Sequence, residues 1–138
     1  MNYNVNVYQV VLPQGDIPED KSTLFIKGMC GIKPSIDDFK NHYEHVLSFN
    51  LNKNKVAKEY IPKFKNIFEV CEFCFMLLNT NEINTHMLVN DLEILNFHRS
   101  LSIGDILEIN NKFYIVEDIG FAEFLIDNKD ENAEETFA

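Results

Sequence analysis

RSLSIGDILEINNKFYIVEDIGF, residues 99–121, joins turn-forming residues to two short apolar runs. Gly104 can adopt a positive φ and Asp105 can bond neighbouring amides, so the SIGD segment has the chemistry of a turn that leads into a strand. Asn110 and Asn111 suit a tight hairpin loop, because Asn tolerates the left-handed conformation. This stretch therefore predicts an antiparallel hairpin in which ILEI pairs with KFYIV.

Outside this stretch, the sequence predicts three further strands and a capped helix. Residues 3–12 alternate Asn with Val and then become continuously apolar, which indicates a strand. TLFIK, residues 23–27, is expected to form a second strand, and HVLSFNL, residues 45–51, a third. Ser35 and Asp38 have the spacing of a capping box, which predicts a helix that runs up to the third of these strands.

One long helix is predicted to form the main support of the sheet. Its apolar stripe has the spacing i, i+4, i+7, i+11 and i+14: Phe64, Phe68, Cys71, Phe75 and Leu78. Gly120 is expected to end the last hairpin strand, and Phe121 is expected to enter the core. The predicted fold is α+β, a small bent antiparallel sheet or partial barrel packed on one main helix. Residues 1–126 would form one domain and residues 127–138 an acidic disordered tail.

The charge of the chain limits its partners. Residues 117–138 carry −7 of the formal net charge of −10, and residues 1–116 carry −3. Phosphate binding depends on Lys and Arg that displace counterions, so this balance argues against direct binding of nucleic acid. A carboxylate-rich face can instead occupy the basic groove of a protein that handles nucleic acid. The simpler interpretation is that the acidic residues keep the protein soluble.

Two pairs of residues, His42-x-x-His45 and Cys71-x-x-Cys74, have the i, i+3 spacing at which a helix presents two zinc ligands on one face. The histidines come first and 25 residues separate the pairs, whereas short zinc frameworks begin with a cysteine pair and a brief connection. The cysteines also fall on the apolar stripe, where thiols pack as small hydrophobic groups. We therefore expect no metal, no cofactor and no enzymatic activity.

The chain is expected to remain in the cytoplasm, without a membrane partner. No apolar run approaches the roughly 18 residues that a membrane-spanning helix needs. MNYNVNVYQV, residues 1–10, lacks the basic opening and the continuous apolar segment of a secretory signal. The three cysteines form an odd and sparse set, which favours reduced thiols over a disulfide framework.

FKNIFEVCEFCFMLLN, residues 64–79, and HRSLSIGDILEINNKFYIVEDIGFAEF, residues 98–124, resemble the YodL-like domains and related small proteins of phages and integrative mobile elements. The shared pattern is a helix that ends in Asn, a variable insert, an RSLSVGDV-type turn, a hairpin and a terminal Gly-Phe. VYQV, residues 7–10, and YEHV, residues 43–46, fit the first half of that pattern. The specific part of the resemblance is confined to residues 98–121.

This chain departs from the family pattern at two places near the hairpin. Ile103 stands where Val is usual, and Glu117-Asp118-Ile119 replaces a run of the Cys-Asp-Ser type. The resemblance implies no catalytic residues. It implies a setting, because such domains occur in mobile elements, sometimes beside proteins thought to counter host restriction and other defences.

The resemblance and the acidic balance lead to one hypothesis. The chain would be a non-enzymatic counter-defence inhibitor, of the anti-CRISPR or anti-restriction type, that binds a host defence protein or effector complex in a bacterial cytoplasm. Carboxylates would occupy a basic surface of that effector, with rapid, salt-dependent association. The predicted partner-binding residues are Asp105, Glu117, Asp118 and Glu123.

Two alternatives stay open at this point. One is a structural or regulatory module of the mobile element that builds a homo-oligomer through an apolar surface. The other is a small metal- or thiol-dependent enzyme, in which His86 or His98 approaches Cys71 or Cys74.

Overall fold

The structure is a computed structural model that describes residues 1–12, 18–79 and 100–125, together with the backbone of 93–94. The predicted tail, residues 127–138, lies outside these ranges. The elements in chain order are β1 (Asn4–Val10), α1 (Glu19–Met29), α2 (Ile36–His42), β2 (Tyr43–Asn50), α3 (Lys55–Tyr60), α4 (Ile67–Asn79), β3 (Glu93–Ile94), β4 (Ile106–Ile109), β5 (Lys112–Val116) and β6 (Phe121–Phe124). Single-turn 3-10 helices, Leu51–Lys53 and Ile61–Lys63, flank α3.

The strands form one antiparallel sheet in the order β3-β2-β1-β4-β5-β6. The predicted α+β class is confirmed. The sheet is open and not a partial barrel, because β3 and β6 lie at its two ends. Among the described helices, none is long and apolar enough to cross a bilayer.

Alternate residues of each strand face opposite sides of the sheet, and helices cover both sides. On one side, Val7 and Leu107 belong to a buried cluster that includes Cys71 and Leu77 of α4. On the other side, Ile106 belongs to a second buried cluster, which includes Leu24 of α1 and Phe39 of α2. The remaining members of this cluster are Val10, Tyr43, Ile115 and Phe124. The predicted main helix, α4, therefore supports one face of the sheet, and the prediction omitted α1 and α2, which support the other.

The prediction of a strand at residues 23–27 is wrong, because these residues lie within α1. A short apolar run has no period that separates a strand from a buried helix turn. Leu24 and Gly28, four residues apart, are the buried residues of α1, so the helix presents one narrow face to the sheet. Glu19 and Asp20 occupy the first turn, where negative charge favours a helix.

The capped helix is confirmed, since both bonds of the capping box are present. The Asp38 amide donates to Ser35 Oγ at 3.0 Å, and the Ser35 amide donates to Asp38 Oδ2 at 3.3 Å. The helix ends at His42, and the predicted third strand begins at Tyr43.

The main helix is confirmed as α4, but its buried face differs from the predicted stripe. The buried residues are Val70, Cys71, Phe73, Cys74, Leu77 and Leu78. Phe68 is 40% exposed, and Phe64 precedes the helix. Apolar residues surround most of α4, so the sequence defines the helix without defining which side meets the sheet.

The hairpin of β4 and β5 is confirmed with the predicted turn residues. Asn110 and Asn111 have φ of 51° and 73°, the left-handed values that a two-residue hairpin turn of this kind requires. Gly104, before β4, has φ of 93°, and Gly120, before β6, has φ of 76°. Phe121 is partly buried against the α4 side of the core, as expected for a residue that follows the strand break.

Candidate protein-binding surface

A short turn joins β5 to β6 and presents its residues to solvent. The Glu117 amide donates to the carbonyl of Gly120 at 3.0 Å, and the positive φ of Gly120 returns the chain into β6. Asp118 is exposed, and Ile119 at the tip of the turn is 88% exposed. This turn places a carboxylate and an aliphatic side chain at one corner of the molecule.

Glu72, Glu117 and Asp118 lie together at this corner, and Glu123 follows further along β6. We refer to these four carboxylates as the acidic surface. Glu123 is exposed on β6, directly opposite Tyr114 of β5. The Glu117 carboxylate lies 3.6 Å from Lys33 Nζ, and both side chains are about half exposed, at 40% and 50%. Such an exposed ion pair contributes little stability, so Glu117 can exchange this cation for another at small cost.

An open groove of about 190 Å³ lies within the acidic surface. Its floor is apolar: Phe75 and Phe121 meet edge to face, with their ring centroids 6.1 Å apart. Glu72, Glu117 and Asp118 are among the residues that line it. An apolar floor with carboxylates at the rim suits a partner side chain that combines an aliphatic stem with a positive end.

Sequence reasoning found three of these four carboxylates and missed Glu72. Glu72 precedes Phe75 by three residues, so the two share one face of α4. The sequence signal for Glu72 is a charged residue between two apolar ones, Cys71 and Phe73. The structure shows that Glu72 is exposed. Its proximity to Asp118 depends on the packing of α4 against the sheet, which the sequence does not encode locally.

The prediction that Asp105 presents a carboxylate at the surface is wrong, because Asp105 is 3% exposed. Its Oδ2 accepts hydrogen bonds from the Ser102 amide at 2.9 Å and from Gln9 Nε2 at 3.1 Å. The side chain therefore closes the turn before β4 and ties it to β1. Asp105 is a structural residue of the turn and takes no part in the acidic surface.

The two helix cysteines are buried thiols. Burial raises the pKa of Cys71 from 9.0 to about 12, and burial also raises the pKa of Cys74. Both side chains therefore stay protonated near neutral pH. The reactive and metal-binding form of cysteine is the thiolate, which burial disfavours here. Cys30 is exposed beyond the end of α1.

His42 and His45, the two histidines among the described residues, do not meet these cysteines. His42 Nε2 lies 3.7 Å from Asp20 Oδ2. His45 is on β2 and stacks on Tyr8, with ring centroids 5.0 Å apart, on the side of the sheet opposite to Cys71. Within the described ranges, no cluster of three or more His, Cys, Asp or Glu side chains could hold a metal ion. His86 and His98 lie outside the described residues.

A second polar group, missed by sequence reasoning, covers part of the sheet on the His45 side. Glu108 Oε1 accepts from Asn6 Nδ2 and from Tyr8 Oη, each at 2.9 Å. The first of these bonds directs Asn6 Oδ1 towards Ser48, whose hydroxyl donates to it at 2.6 Å. Burial first, and then the contact with Glu108, raises the pKa of the Tyr8 hydroxyl. The alternation of Asn with Val in β1 was the available signal for this polar face.

This network fixes the role of Ser48. Because the Ser48 proton is directed to Asn6, its oxygen accepts from the Nε2 proton of His45 at 2.8 Å. A serine nucleophile would need the opposite arrangement, in which the imidazole accepts the hydroxyl proton. The geometry is that of a closed hydrogen-bond network that orders the surface of the sheet.

Comparison of the chain with models of protein families, with curated proteins and with solved structures finds no match. The fold and the surface together define an α+β protein with a carboxylate-rimmed apolar groove at one edge of an open sheet.

Proposed function

We propose that this chain is a non-enzymatic inhibitor from a phage or mobile element, and that its acidic surface binds a basic surface of a host nucleic-acid-processing effector. One observation carries the proposal: Glu72 and Asp118 are exposed at the rim of an apolar groove, Glu123 is exposed further along β6, and Lys33, paired with Glu117, is the cation found at this surface among the described residues. A surface with several carboxylates and one cation favours a positively charged partner.

The chemistry of the surface is compatible with a nucleic-acid-binding partner. Proteins that bind phosphates do so with clusters of Lys and Arg, which carboxylates can occupy in place of the phosphates. The net charge of −10 would steer the encounter over several ångströms and accelerate association. The groove would add apolar contacts that phosphates lack, so the bound state would persist after the encounter.

The biological setting of the proposal comes from the sequence. Residues 98–121 resemble YodL-like domains of phages and mobile elements, and proteins that counter host defence are found in that setting. CRISPR and restriction systems act on nucleic acid, so a basic groove is the expected target surface.

A plating assay tests the function directly. Bacteria that carry a CRISPR or restriction system would express the chain and be challenged with a targeted phage, and expression should raise the efficiency of plating. A variant with Glu72→Gln, Glu117→Gln, Asp118→Asn and Glu123→Gln should lose this effect. The matched control is Asp37→Asn with Glu59→Gln, since both carboxylates are exposed but lie on α2 and α3.

The outcomes separate the proposal from its alternatives. Protection of the phage by the wild type and the control, without protection by the acidic-surface variant, supports it. Equal protection by both variants contradicts the role of the acidic surface. Binding of the purified chain to the effector that it inhibits should weaken about tenfold or more between 50 and 500 mM salt, because salt screens the attraction between the carboxylates and the basic surface.

A second candidate function follows from a different observation. Ile26, Met29 and Ile32, at the end of α1 and just beyond it, are 59%, 45% and 55% exposed. Exposed aliphatic side chains in sequence proximity favour a contact between copies, as in a homo-oligomeric module. Light scattering would show a dimer or larger assembly that Ile26→Ser with Ile32→Ser converts to a monomer, and a monomeric wild type would contradict this candidate.

A further inference from the structure

The last strand, β6, forms one edge of the described sheet, and half of its backbone groups point away from β5. The Val116 amide donates to Asp105, before β4, so the next residue back, Ile115, directs its amide towards β6. Ile115 is opposite Ala122, and the two exchange ladder bonds. Along an antiparallel strand, every second residue directs its amide and carbonyl to the same neighbour. Since Ala122 faces β5, the amides and carbonyls of Phe121 and Glu123 face outwards from the sheet.

The outward-facing residues of β6 and the groove share one side of the described sheet. Phe121 and Glu123 are two residues apart, so their side chains project to the same face, the face covered by α4. Phe121 is part of the groove floor with Phe75, and Glu123 is exposed further along the strand. An extended chain placed along β6 would therefore meet outward backbone groups, an apolar groove and carboxylates in one line.

We infer that β6 binds an extended segment of the partner by strand addition, and that the side chains of this segment on the α4 side, at every second residue, include both basic and aliphatic ones. This inference rests on the proposed function and specifies how the partner is held. Backbone bonds to Phe121 and Glu123 would fix the register of the segment. A basic side chain would reach Glu123 or Asp118, and an aliphatic one would fill the groove at Phe75.

The charge distribution favours this partner over a second copy of the chain at the same edge. Two β6 strands paired edge to edge would bring Glu123 of each copy close to acidic residues of the other, because both copies carry Glu117, Asp118 and Glu123 along this short stretch. Like charges on directly neighbouring strand positions repel each other and oppose pairing. A basic segment meets the same carboxylates with the favourable sign.

Substitutions at one position separate backbone addition from charge attraction. Glu123→Gln removes the charge and keeps the outward amide. Glu123→Pro removes both, and it leaves the β5 ladder intact because that amide faces away from β5. Binding of the synthetic peptide acetyl-Lys-Thr-Val-Thr-Lys-Thr-Val-amide, which places Lys and Val together on one face of a strand, should weaken about two- to fivefold in the Gln variant and about tenfold further in the Pro variant. Thermal unfolding of both variants verifies that they are folded.

The peptide itself provides a second measurement that does not depend on any variant. Hydrogen exchange followed by NMR should slow for the amides of Phe121 and Glu123 when the peptide binds. Methylation of alternate peptide nitrogens should weaken binding in one of the two possible patterns, since only one set faces β6. Equal affinities for both methylated peptides, or unchanged exchange at these two amides, would overturn strand addition.

These results also separate the two proposals. If Glu123→Pro protects phage as well as the wild type while the four-carboxylate variant does not, strand addition is wrong and the acidic surface still acts. If the four-carboxylate variant protects fully, the role of the acidic surface in the proposed function is wrong, whatever the peptide does. Peptide-induced dimers in light scattering would instead point to pairing between copies and would also overturn the inference.

Discussion

Gly104 and Gly28 lie at the closest approach between α1 and the turn before β4. A Cβ added to Gly104 would lie 2.8 Å from the Cα of Gly28, a separation that real Cβ atoms do not reach. Gly104 also has φ of 93°, which side chains rarely adopt. The pairing of α1 with the sheet therefore depends on the absence of a side chain at this residue.

Substitution of these two glycines should have unequal effects. Gly104→Ala should lower the free energy of unfolding by about 1–3 kcal/mol, because it adds backbone strain and a backbone clash. Gly28→Ala should have no large cost, since its Cβ would lie 3.5 Å from Gly104 and Ala favours a helix by about 1 kcal/mol over Gly. Urea unfolding of both variants measures the difference. Equal losses would show that the contact is less close than described.

Asp105 and Asp118 illustrate how burial decides the role of a carboxylate. Asp105→Ala would leave the Ser102 amide and Gln9 Nε2 without this acceptor, so it should cost about 1–3 kcal/mol of stability. Asp118→Ala should change stability by less than about 0.5 kcal/mol, since the residue is exposed. Denaturant unfolding measures both. If Asp105→Ala left the free energy of unfolding unchanged, other contacts would be holding the turn.

At the scale of elements, the β4–β5 hairpin is specified by its two turn residues. Asn110 has a further role, because its Oδ1 accepts from the Asn4 amide at 3.0 Å and its Nδ2 donates to the carbonyl of Asn2 at 2.7 Å. Asn111 has no such bond among those found in the described residues. The two turn positions can therefore be separated experimentally.

Substitution at Asn111 should report on the turn geometry alone. Asn111→Gly should raise the melting temperature slightly, because Asn-Gly is the preferred pair for a turn with both φ values positive. Asn111→Val should lower stability by about 1–2 kcal/mol, since a β-branched residue is strained at φ of 73°. Thermal unfolding followed by circular dichroism compares the two. A stabilising Val would contradict the assigned turn.

At the scale of the whole molecule, the buried thiols predict how stability depends on pH. Cys71 has its pKa raised from 9.0 to about 12, and burial raises the pKa of Cys74 as well. Below pH 9 the thiols are protonated in both states, and their contribution is fully present. As pH rises above 9, the thiols of the unfolded chain ionise while those of the folded chain stay protonated, so stability falls.

The predicted slope is measurable. Each buried thiol should lower stability by up to about 1.4 kcal/mol per pH unit above pH 9. The variant Cys71→Ala with Cys74→Ala should show a shallower decline than the wild type between pH 9 and 11, whatever its stability at pH 7. Cys30→Ala is the matched control for the loss of a thiol, because that thiol is exposed. An unchanged slope in the double variant would show that the thiols are accessible to solvent.

The sequence by itself determined the elements whose signals are local. The turn at Asn110 and Asn111, the capping box at Ser35, the first strand and the existence of α4 all follow from backbone preferences or from the period of apolar residues. Each of these signals acts within a few residues, so it is preserved whatever the rest of the chain does.

Only the tertiary structure decided the features that depend on distant contacts. Residues 23–27 are helical in a packed chain in which Leu24 meets the sheet and Gly28 meets the turn before β4, and a five-residue apolar run does not encode that choice. Asp105 is buried because Gln9, 96 residues away in sequence, donates to it. The packing of α4 likewise brings Glu72 to the groove beside Phe121. Burial and charge surroundings are properties of the packed chain, and these two properties separate a structural carboxylate from one that is available to a partner.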